Sequence, residues 1–154
     1  MTKDVAIRQY RDKVSRAAQA VRQIGMPAEG WICTARKALG MSAAELARRL
    51  GRSRALVSNT EKAELDGGVT LKTMTRMAEA MGCRFVYAIV PEDGVEDVLA
   101  GQARRKARAL VETSGRHMAL EAQSLTPEQM EAEVERVARE LLRDMPSDFW
   151  REPR

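Results

Sequence analysis

The sequence has few of the residues on which disulfide frameworks, metal sites and membrane spans depend. Its 154 residues include one histidine and two cysteines, Cys33 and Cys83. No CxxC pair or histidine-rich segment accompanies them, so we expect two reduced thiols, with a single bridge as the minor alternative. The longest apolar run, Phe85 to Val90, is six residues and too short to cross a bilayer. Because the N-terminus also lacks a signal-peptide stretch, the sequence predicts a cytoplasmic protein.

Aromatic residues are scarce as well, at 4% of the chain, whereas apolar residues make up 44% and charged residues 31%. Abundant Ala, Arg, Glu, Leu and Met favour helices over sheets. The chain also lacks a glycine-rich phosphate loop, a cluster of metal ligands and a Ser/His or Cys/His arrangement. We therefore expect a mainly α-helical protein that is not an enzyme and holds no cofactor.

A net charge of +4 is distributed unevenly. Residues 31–82 carry nine basic and five acidic side chains, and residues 102–118 carry five and one. The second excess is concentrated in the run from Arg104 to Arg108, whereas residues 119–154 carry nine acidic and five basic side chains. A polyanion such as DNA would be drawn to the basic segments, although such runs are also typical of solvated helix faces.

Apolar periodicity predicts helices at both ends of the chain. Residues 3–24 carry an a/d seam that would dock on the core or on a sister subunit. In the C-terminal region, 92–154, one stripe begins at Val95, and Thr126 caps a last helix. Phe149 and Trp150 either fold back onto the core or mark a partner surface. The N-terminal seam consists of Ile7, Tyr10, Val14, Ala17, Val21 and Ile24.

Four short helices are predicted between residues 29 and 82, bounded by capping Ser or Thr residues and terminating glycines. The second and third, in AAELARRLGRSRALVSNTEK at 43–62, have the mechanics of a helix-turn-helix. Ala47 allows the close crossing and Gly51 the sharp turn. The helix capped by Ser53 would then lie in a DNA major groove. The buried contacts are predicted to come from Leu46, Leu50, Leu56 and Val57.

Residues 83–90, CRFVYAIV, are rich in β-branched and aromatic residues and stop at Pro91, which predicts the one short β-strand of the chain. A lone strand leaves its backbone groups unpaired, and no second strand-like segment is present. The economical solution is pairing with the same strand of another subunit, so we predict a homodimer. The dimerisation residues would be Phe85, Val86, Tyr87 and Ile89.

The stretch WICTARKALGMSAAELARRLGRSRALVSNTEKAE resembles the five-helix repressor (XRE-type) DNA-binding domain. The long N-terminal helix and the segments TLKTMTRMAEAMGCRFVYAIVP, HMALEAQ and DFWRE are similar to a small bacterial family, mobile mystery protein A. Its genes typically lie beside one for a Fic-domain protein on mobile elements. The resemblance implies a DNA-binding regulator, the antitoxin-like half of a two-gene module. The predicted regions are an N-terminal helix (1–30), the DNA-binding domain (31–82), the dimerisation strand (83–91) and the C-terminal helices (92–154).

The repressor resemblance implies that Arg54, Ala55 and Asn59 face the bases, since Arg can bond bidentately to guanine and Asn to adenine. It also makes Arg36 the buried, structural partner of Glu61. The implied phosphate contacts are the backbone amides capped by Ser42 and the side chains of Arg52, Ser53, Ser58 and Lys62.

Two positions depart from the repressor pattern. Thr60 stands where such helices usually carry Ile or Leu, which weakens one packing contact, and Ala43 stands where many relatives place a phosphate-binding Gln. The lone histidine, His117, is followed by Met118 and not by a Fic motif, so the chain is not itself a Fic enzyme.

The sequence thus favours a homodimeric repressor of its own operon that occupies a two-fold, double-stranded operator. The alternative is a protein whose acidic region, 119–154, clamps a partner such as a Fic-domain protein, with DNA binding secondary.

Overall fold

The computed structural model describes residues 2–120 and 125–152, which form seven α-helices and no β-strand. The helices are α1 (Lys3–Val21), α2 (Trp31–Ala38), α3 (Ala43–Leu50), α4 (Arg54–Leu65), α5 (Leu71–Ala80), α6 (Val95–Leu120) and α7 (Pro127–Asp144). The prediction of a mainly α-helical protein is confirmed. Among the helices described, none is both long enough and apolar enough to span a membrane.

The caps that the sequence predicts set the helix bounds. Ser42 and Glu45 form a capping box at α3, and the side chains of Ser53 and Thr70 accept backbone hydrogen bonds at the starts of α4 and α5. Thr126 caps α7 with Pro127 in the first turn. These bonds satisfy backbone donors that a helix start would otherwise leave unpaired.

Residues 20–88 form one compact unit, built from α2 to α5. Leu46 of α3 and Val57 of α4 are completely buried where the two helices meet, beside the small side chain of Ala47. Three methionines from α5 and its end, whose flexible side chains fill irregular spaces, complete the core together with Ile32. The three methionines are Met74, Met77 and Met81.

Residues 1–19 and 89–154 form the second unit, in which α6 packs along α7. Ala103 and Ala107 of α6 are fully buried, and such small side chains let the helix backbones approach each other closely. Phe149 is buried in the same core, whereas Trp150 is 55% exposed and meets the Phe149 ring edge-on, with ring centroids 5.2 Å apart. The pair was predicted either to fold back onto the core or to mark a partner surface, and Phe149 lies in the core.

The apolar seam of α1 is only partly covered. No residue of α1 is buried, and Ile7 and Tyr10 are exposed, with Tyr10 at 71%. The helix ends at Val21, so Ile24 lies beyond it. The seam adds no fully buried residue to a core, and both docking on the core and docking on a sister subunit stay predictions.

The predicted strand at residues 83–90 is not confirmed, because the structure assigns no regular secondary structure to this segment. A single extended segment has no neighbouring strand with which to form a ladder, and pairing across a dimer stays a prediction. Nor is the five-helix count confirmed, since four helices lie between Trp31 and Ala80. The β-branched residues of segment 83–90 disfavour a further helix there. Phe85 of this segment packs on the core of the 20–88 unit.

Candidate nucleic-acid interface

The turn between α3 and α4 is held by backbone geometry that only a few residue types tolerate. Gly51 adopts the left-handed conformation, with φ of 66°, which costs glycine nothing because it has no Cβ. The amide of Arg52 donates to the Ala47 carbonyl oxygen at 2.9 Å, closing the end of α3. The chain therefore turns sharply enough for α4 to pack across α3, as the sequence predicts.

The first turn of α4 is fixed by Ser53, whose hydroxyl oxygen accepts a hydrogen bond from the Leu56 amide at 3.1 Å. Ser42 does the same for Glu45 at the start of α3, also at 3.1 Å, and its own amide donates to the Glu45 carboxylate at 2.8 Å. Each hydroxyl still has its proton to donate. Both serines are thus capping residues whose predicted contacts to phosphate remain compatible with their geometry.

The base-facing residues implied by the repressor resemblance are exposed on α4, Arg54 at its start and Ala55 and Asn59 on its outer face. Arg54, Ala55 and Asn59 are exposed, and Asn59 follows Ala55 by four residues, so the two lie in one row along the helix. Ser58 is half-buried and lies in the neighbouring row with Arg54. The remaining predicted phosphate-contacting side chains, Arg52 and Lys62, are exposed.

On the side of α4 away from Asn59, the helix is anchored by an ion pair that the repressor resemblance implied. The Arg36 guanidinium donates to both carboxylate oxygens of Glu61, at 2.7 and 3.3 Å, and also to the Met41 carbonyl oxygen at 3.0 Å. Both side chains of the pair are largely buried, and the hydrogen bond that Arg36 donates to Glu61 raises the pKa of Arg36. The prediction of a buried, structural Arg36–Glu61 pair is confirmed, and the pair ties α4 to α2.

A second carboxylate on α4 was not anticipated. Glu64 accepts hydrogen bonds from the backbone amides of Trp31 and Ile32, at 2.6 and 2.9 Å, and thereby caps α2 from a distance of some thirty residues along the chain. The residue before α2 is Gly30, with φ of 83°, and a Cβ there would lie 2.9 Å from the Glu64 carboxylate. The absence of a capping Ser, Thr, Asp or Asn before Trp31 was the available indication that another residue had to serve.

One of the four predicted buried contacts, Leu56, was wrong. Leu46 and Val57 are buried and Leu50 is partly buried, but Leu56 is 43% exposed. Successive residues of a helix are turned by about 100°, and in α4 this turn takes Leu56 away from the core that Val57 enters. Leu56 therefore belongs to the solvent-facing side of the first turn.

Thr60 takes a conformation that removes its hydroxyl from the packing face. Its Oγ1 donates to the Leu56 carbonyl oxygen at 2.7 Å, a bond within the helix that satisfies the hydroxyl. The departure from Ile or Leu at this position therefore leaves no unpaired polar group, and α4 is continuous through it.

The second basic segment is occupied by contacts within its own unit. Arg104 and Arg108 of α6 pair with Glu135 and Glu131 of α7, at 3.2 and 2.7 Å. Lys106 is only 8% exposed, donates to the Asp148 carbonyl oxygen and lies 3.4 Å from the carboxylate of the same residue. The attraction of DNA to this run, which its charge alone suggested, is therefore largely cancelled by α7 and the C-terminal turn.

The predicted dimerisation residues differ in exposure. Phe85 is partly buried against the 20–88 core, whereas Val86, Tyr87 and Ile89 are exposed, Ile89 at 92%. The rings of Phe85 and Tyr87 stack with centroids 5.8 Å apart, which places these two side chains on the same side of the segment. A run of apolar side chains this accessible is available to a partner.

Comparison with known families agrees with this geometry. A family model described as "Helix-turn-helix" matches residues 34–87, about a third of the chain. No curated protein and no solved structure matches the chain. The matched residues include α3, α4 and α5 whole, together with most of α2. The chain thus carries an XRE-type helix-turn-helix unit, and it is a DNA-binding regulator.

Proposed function

We propose that this helix-turn-helix protein is a homodimeric repressor of its own operon and the antitoxin-like half of a two-gene module with a Fic-domain protein. The outer face of α4 is the observation that carries the DNA-binding part. It presents Arg54, Ala55 and Asn59 to solvent on a helix that is capped at its start and fixed by the Arg36–Glu61 pair. The resemblance to mobile mystery protein A supports the operon context, and the lack of signal-peptide, metal-binding and catalytic motifs in the sequence supports a cytoplasmic, non-enzymatic role without a cofactor.

The recognition face has the composition that sequence readout requires. Arg54 has the donors for a bidentate contact to guanine and Asn59 the donor and acceptor for one to adenine. Arg52 and Lys62 bring positive charge to the two ends of the same surface, where phosphate contacts would fix the register of α4 in the groove.

The experiment is fluorescence anisotropy of the protein on the DNA upstream of its own gene and on a scrambled duplex, over a series of salt concentrations. We expect tight binding to the first duplex, weak binding to the second and a steep loss of affinity with salt. Equal, weak binding to both duplexes would exclude a sequence-specific repressor.

Dimerisation would place two copies of α4 one turn of the duplex apart, about 34 to 36 Å. The exposed side chains of Val86, Tyr87 and Ile89 support the segment 83–90 as the contact between subunits. Val86→Pro removes a backbone donor from that ladder and should convert the dimer to a monomer in sedimentation at micromolar concentration. Val86→Thr keeps the donor and the β-branched shape and should stay dimeric. A dimeric Val86→Pro protein would assign the contact to the helices instead.

A second candidate function is binding of a partner protein by the C-terminal helices, and the exposure of Trp150 favours it. Large aromatic side chains are enriched at protein interfaces, and this one lies exposed beside the buried Phe149. With the neighbouring gene product, Trp150→Ala should weaken the complex about thirtyfold, by about 2 kcal/mol, and leave the DNA affinity unchanged. Complex formation unaffected by Trp150→Ala would remove this residue from the interface.

A further inference from the structure

We propose that Leu56 reads a thymine by packing against its C5 methyl group, as a specificity-determining residue of the DNA contact. The inference rests on the proposed DNA binding and adds a position that the repressor resemblance did not imply. The exposure of Leu56 on the first turn of α4, next to the predicted base-facing residues, is the observation behind it.

The position of Leu56 on the helix directs it toward the bases. Leu56 and Asn59 are three residues apart, so they are turned by only about 60° from each other around α4. Side chains on a helix also lean toward its N-terminus, and in a helix-turn-helix this is the end that contacts base edges. Leu56 therefore extends the Asn59 surface toward the start of the helix.

The neighbouring side chains leave room for Leu56 to reach the floor of a groove. Ala55 has only a methyl group, which allows the first turn of α4 to approach closely. Thr60, one turn after Leu56, directs its hydroxyl back to the Leu56 carbonyl oxygen, so it does not compete for polar groups of the bases there. Leu56 and Ala55 are thus exposed apolar side chains within an otherwise polar and basic face.

The chemistry of the major groove limits what an exposed leucine can recognise. Phosphates and the nitrogen and oxygen atoms of the base edges offer an aliphatic side chain no favourable contact. The C5 methyl of thymine is the apolar group that base edges present in the major groove, and apolar side chains are known to contact it. Burying that methyl against Leu56 would also remove the leucine from water, which favours the complex.

The test removes the methyl group from the DNA and its partner from the protein, separately and together. A binding site is first selected from random duplexes with the wild-type protein, and each thymine is then replaced by deoxyuridine, which keeps the hydrogen-bonding groups. At one thymine per half-site we expect the wild-type affinity to fall about fourfold. Leu56→Ala should bind the thymine duplex about threefold to tenfold more weakly and should not distinguish it from the deoxyuridine duplex.

A matched control lies on the same helix. Leu65 ends α4 and is 56% exposed, so Leu65→Ala makes the same chemical change far from the N-terminal end. It should keep the wild-type affinity and the full sensitivity to deoxyuridine. Unfolding temperatures of both variants near that of the wild type would show that the losses arise in the complex.

Three results would overturn the inference. In the first, Leu56→Ala loses as much affinity as the wild type at every deoxyuridine. In the second, Leu56→Ala loses the same affinity on selected and on random DNA. In the third, Leu56→Ala changes the oligomeric state and its loss of affinity does not depend on any thymine. Failure of the wild-type protein to select any sequence would instead contradict the proposed function itself, and the inference with it.

Discussion

The two basic segments of this protein have the same excess of positive charge but differ in how many of their basic side chains are paired with carboxylates. Residues 31–82 carry nine basic and five acidic side chains, and residues 102–118 carry five and one. In the second segment Arg104, Lys106 and Arg108 are all engaged by carboxylates of α7 and the C-terminal turn. In the described part of the first segment, Arg36 and Lys37 form salt bridges. Arg52, Arg54 and Lys62 have no carboxylate partner there.

This difference shows that local net charge does not identify a nucleic-acid surface by itself. What matters is whether the opposite charges lie on a neighbouring helix that packs against the basic one, as α7 does against α6. In the helix-turn-helix unit the acidic residues of α4 are turned inward, where Glu61 and Glu64 bind Arg36 and the start of α2. The outer face of α4 is left with its positive charge for a polyanion.

The largest expected effect concerns the inward carboxylates. Glu61→Gln removes the charge that neutralises Arg36 in a largely buried position, so the 20–88 unit should lose about 3 kcal/mol of unfolding free energy. The two tryptophans allow the unfolding of each unit to be monitored separately by fluorescence. Trp31 is the first residue of α2, and Trp150 lies next in the sequence to Phe149, which is buried in the core of the other unit. Urea unfolding of Glu61→Gln in a Trp150→Phe background measures the effect.

The matching control in the other unit is Glu131→Gln in a Trp31→Phe background. Glu131 and Arg108 are about half exposed, and solvent screens such pairs, so Glu131→Gln should lose clearly less stability than Glu61→Gln. Similar losses for the two glutamate variants would mean that the two units do not differ in the way that their burial indicates.

The next effect separates the two basic segments by their action on DNA. Arg54→Ala should lose about 1 to 3 kcal/mol on a specific site and little on random DNA, whereas Arg104→Ala should change neither. Lys62→Ala should weaken binding to all sequences alike and reduce the slope of affinity against salt by about one. Anisotropy titrations provide all three values. An Arg104→Ala loss as large as that of Arg54→Ala would place the second basic run on the DNA.

A smaller effect is expected at the cap of α2. Glu64→Ala leaves the amides of Trp31 and Ile32 without their acceptor and should cost about 1 kcal/mol, measured through Trp31 fluorescence in urea. Glu79→Ala, at an exposed position of α5, is the control and should change the unfolding free energy little. Equal stability of the two variants would show that water replaces the carboxylate without loss.

The smallest effect is the pH dependence of the α6–α7 pairing. The hydrogen bond from Arg108 lowers the pKa of Glu131 below its usual value of 4.5. A carboxyl whose pKa is lower in the folded state stabilises the fold above its unfolded pKa, and this contribution disappears as the pH falls through the folded value. The unfolding temperature, followed by Trp150, should therefore drop more in the wild type than in Glu131→Gln between about pH 6 and about pH 3. Parallel curves would contradict the assignment.

Local chemistry accounts for the parts of the fold that could be predicted. Ser42, Ser53, Thr70 and Thr126 begin helices because a side-chain oxygen is placed to accept an amide three residues on, and Gly51 ends one because it tolerates positive φ. These devices act within a few residues of sequence. They therefore predicted the starts of four helices and the turn of the helix-turn-helix.

Contacts between distant residues account for what could not be predicted. Glu64 caps a helix more than thirty residues earlier, and nothing in its neighbourhood indicates this. Leu56 was assigned to the core because it is apolar and adjacent to Val57, but the direction of α4 is set by Val57 and Glu61, which turns Leu56 to solvent. The segment 83–90 has strand-forming residues, yet in this chain it has no strand partner among the described residues.

The sequence by itself determined the helical class, the helix starts and the helix-turn-helix, because caps, turns and periodicity are properties of neighbouring residues. The Arg36–Glu61 pair joins residues 25 positions apart and was predicted only through the resemblance to repressor domains. Only the tertiary structure decided which basic side chains are free and which are neutralised, and which apolar side chains face water. Charge pairing and burial depend on which helix packs beside which, and α6 meets α7 across residues that the linear pattern does not connect.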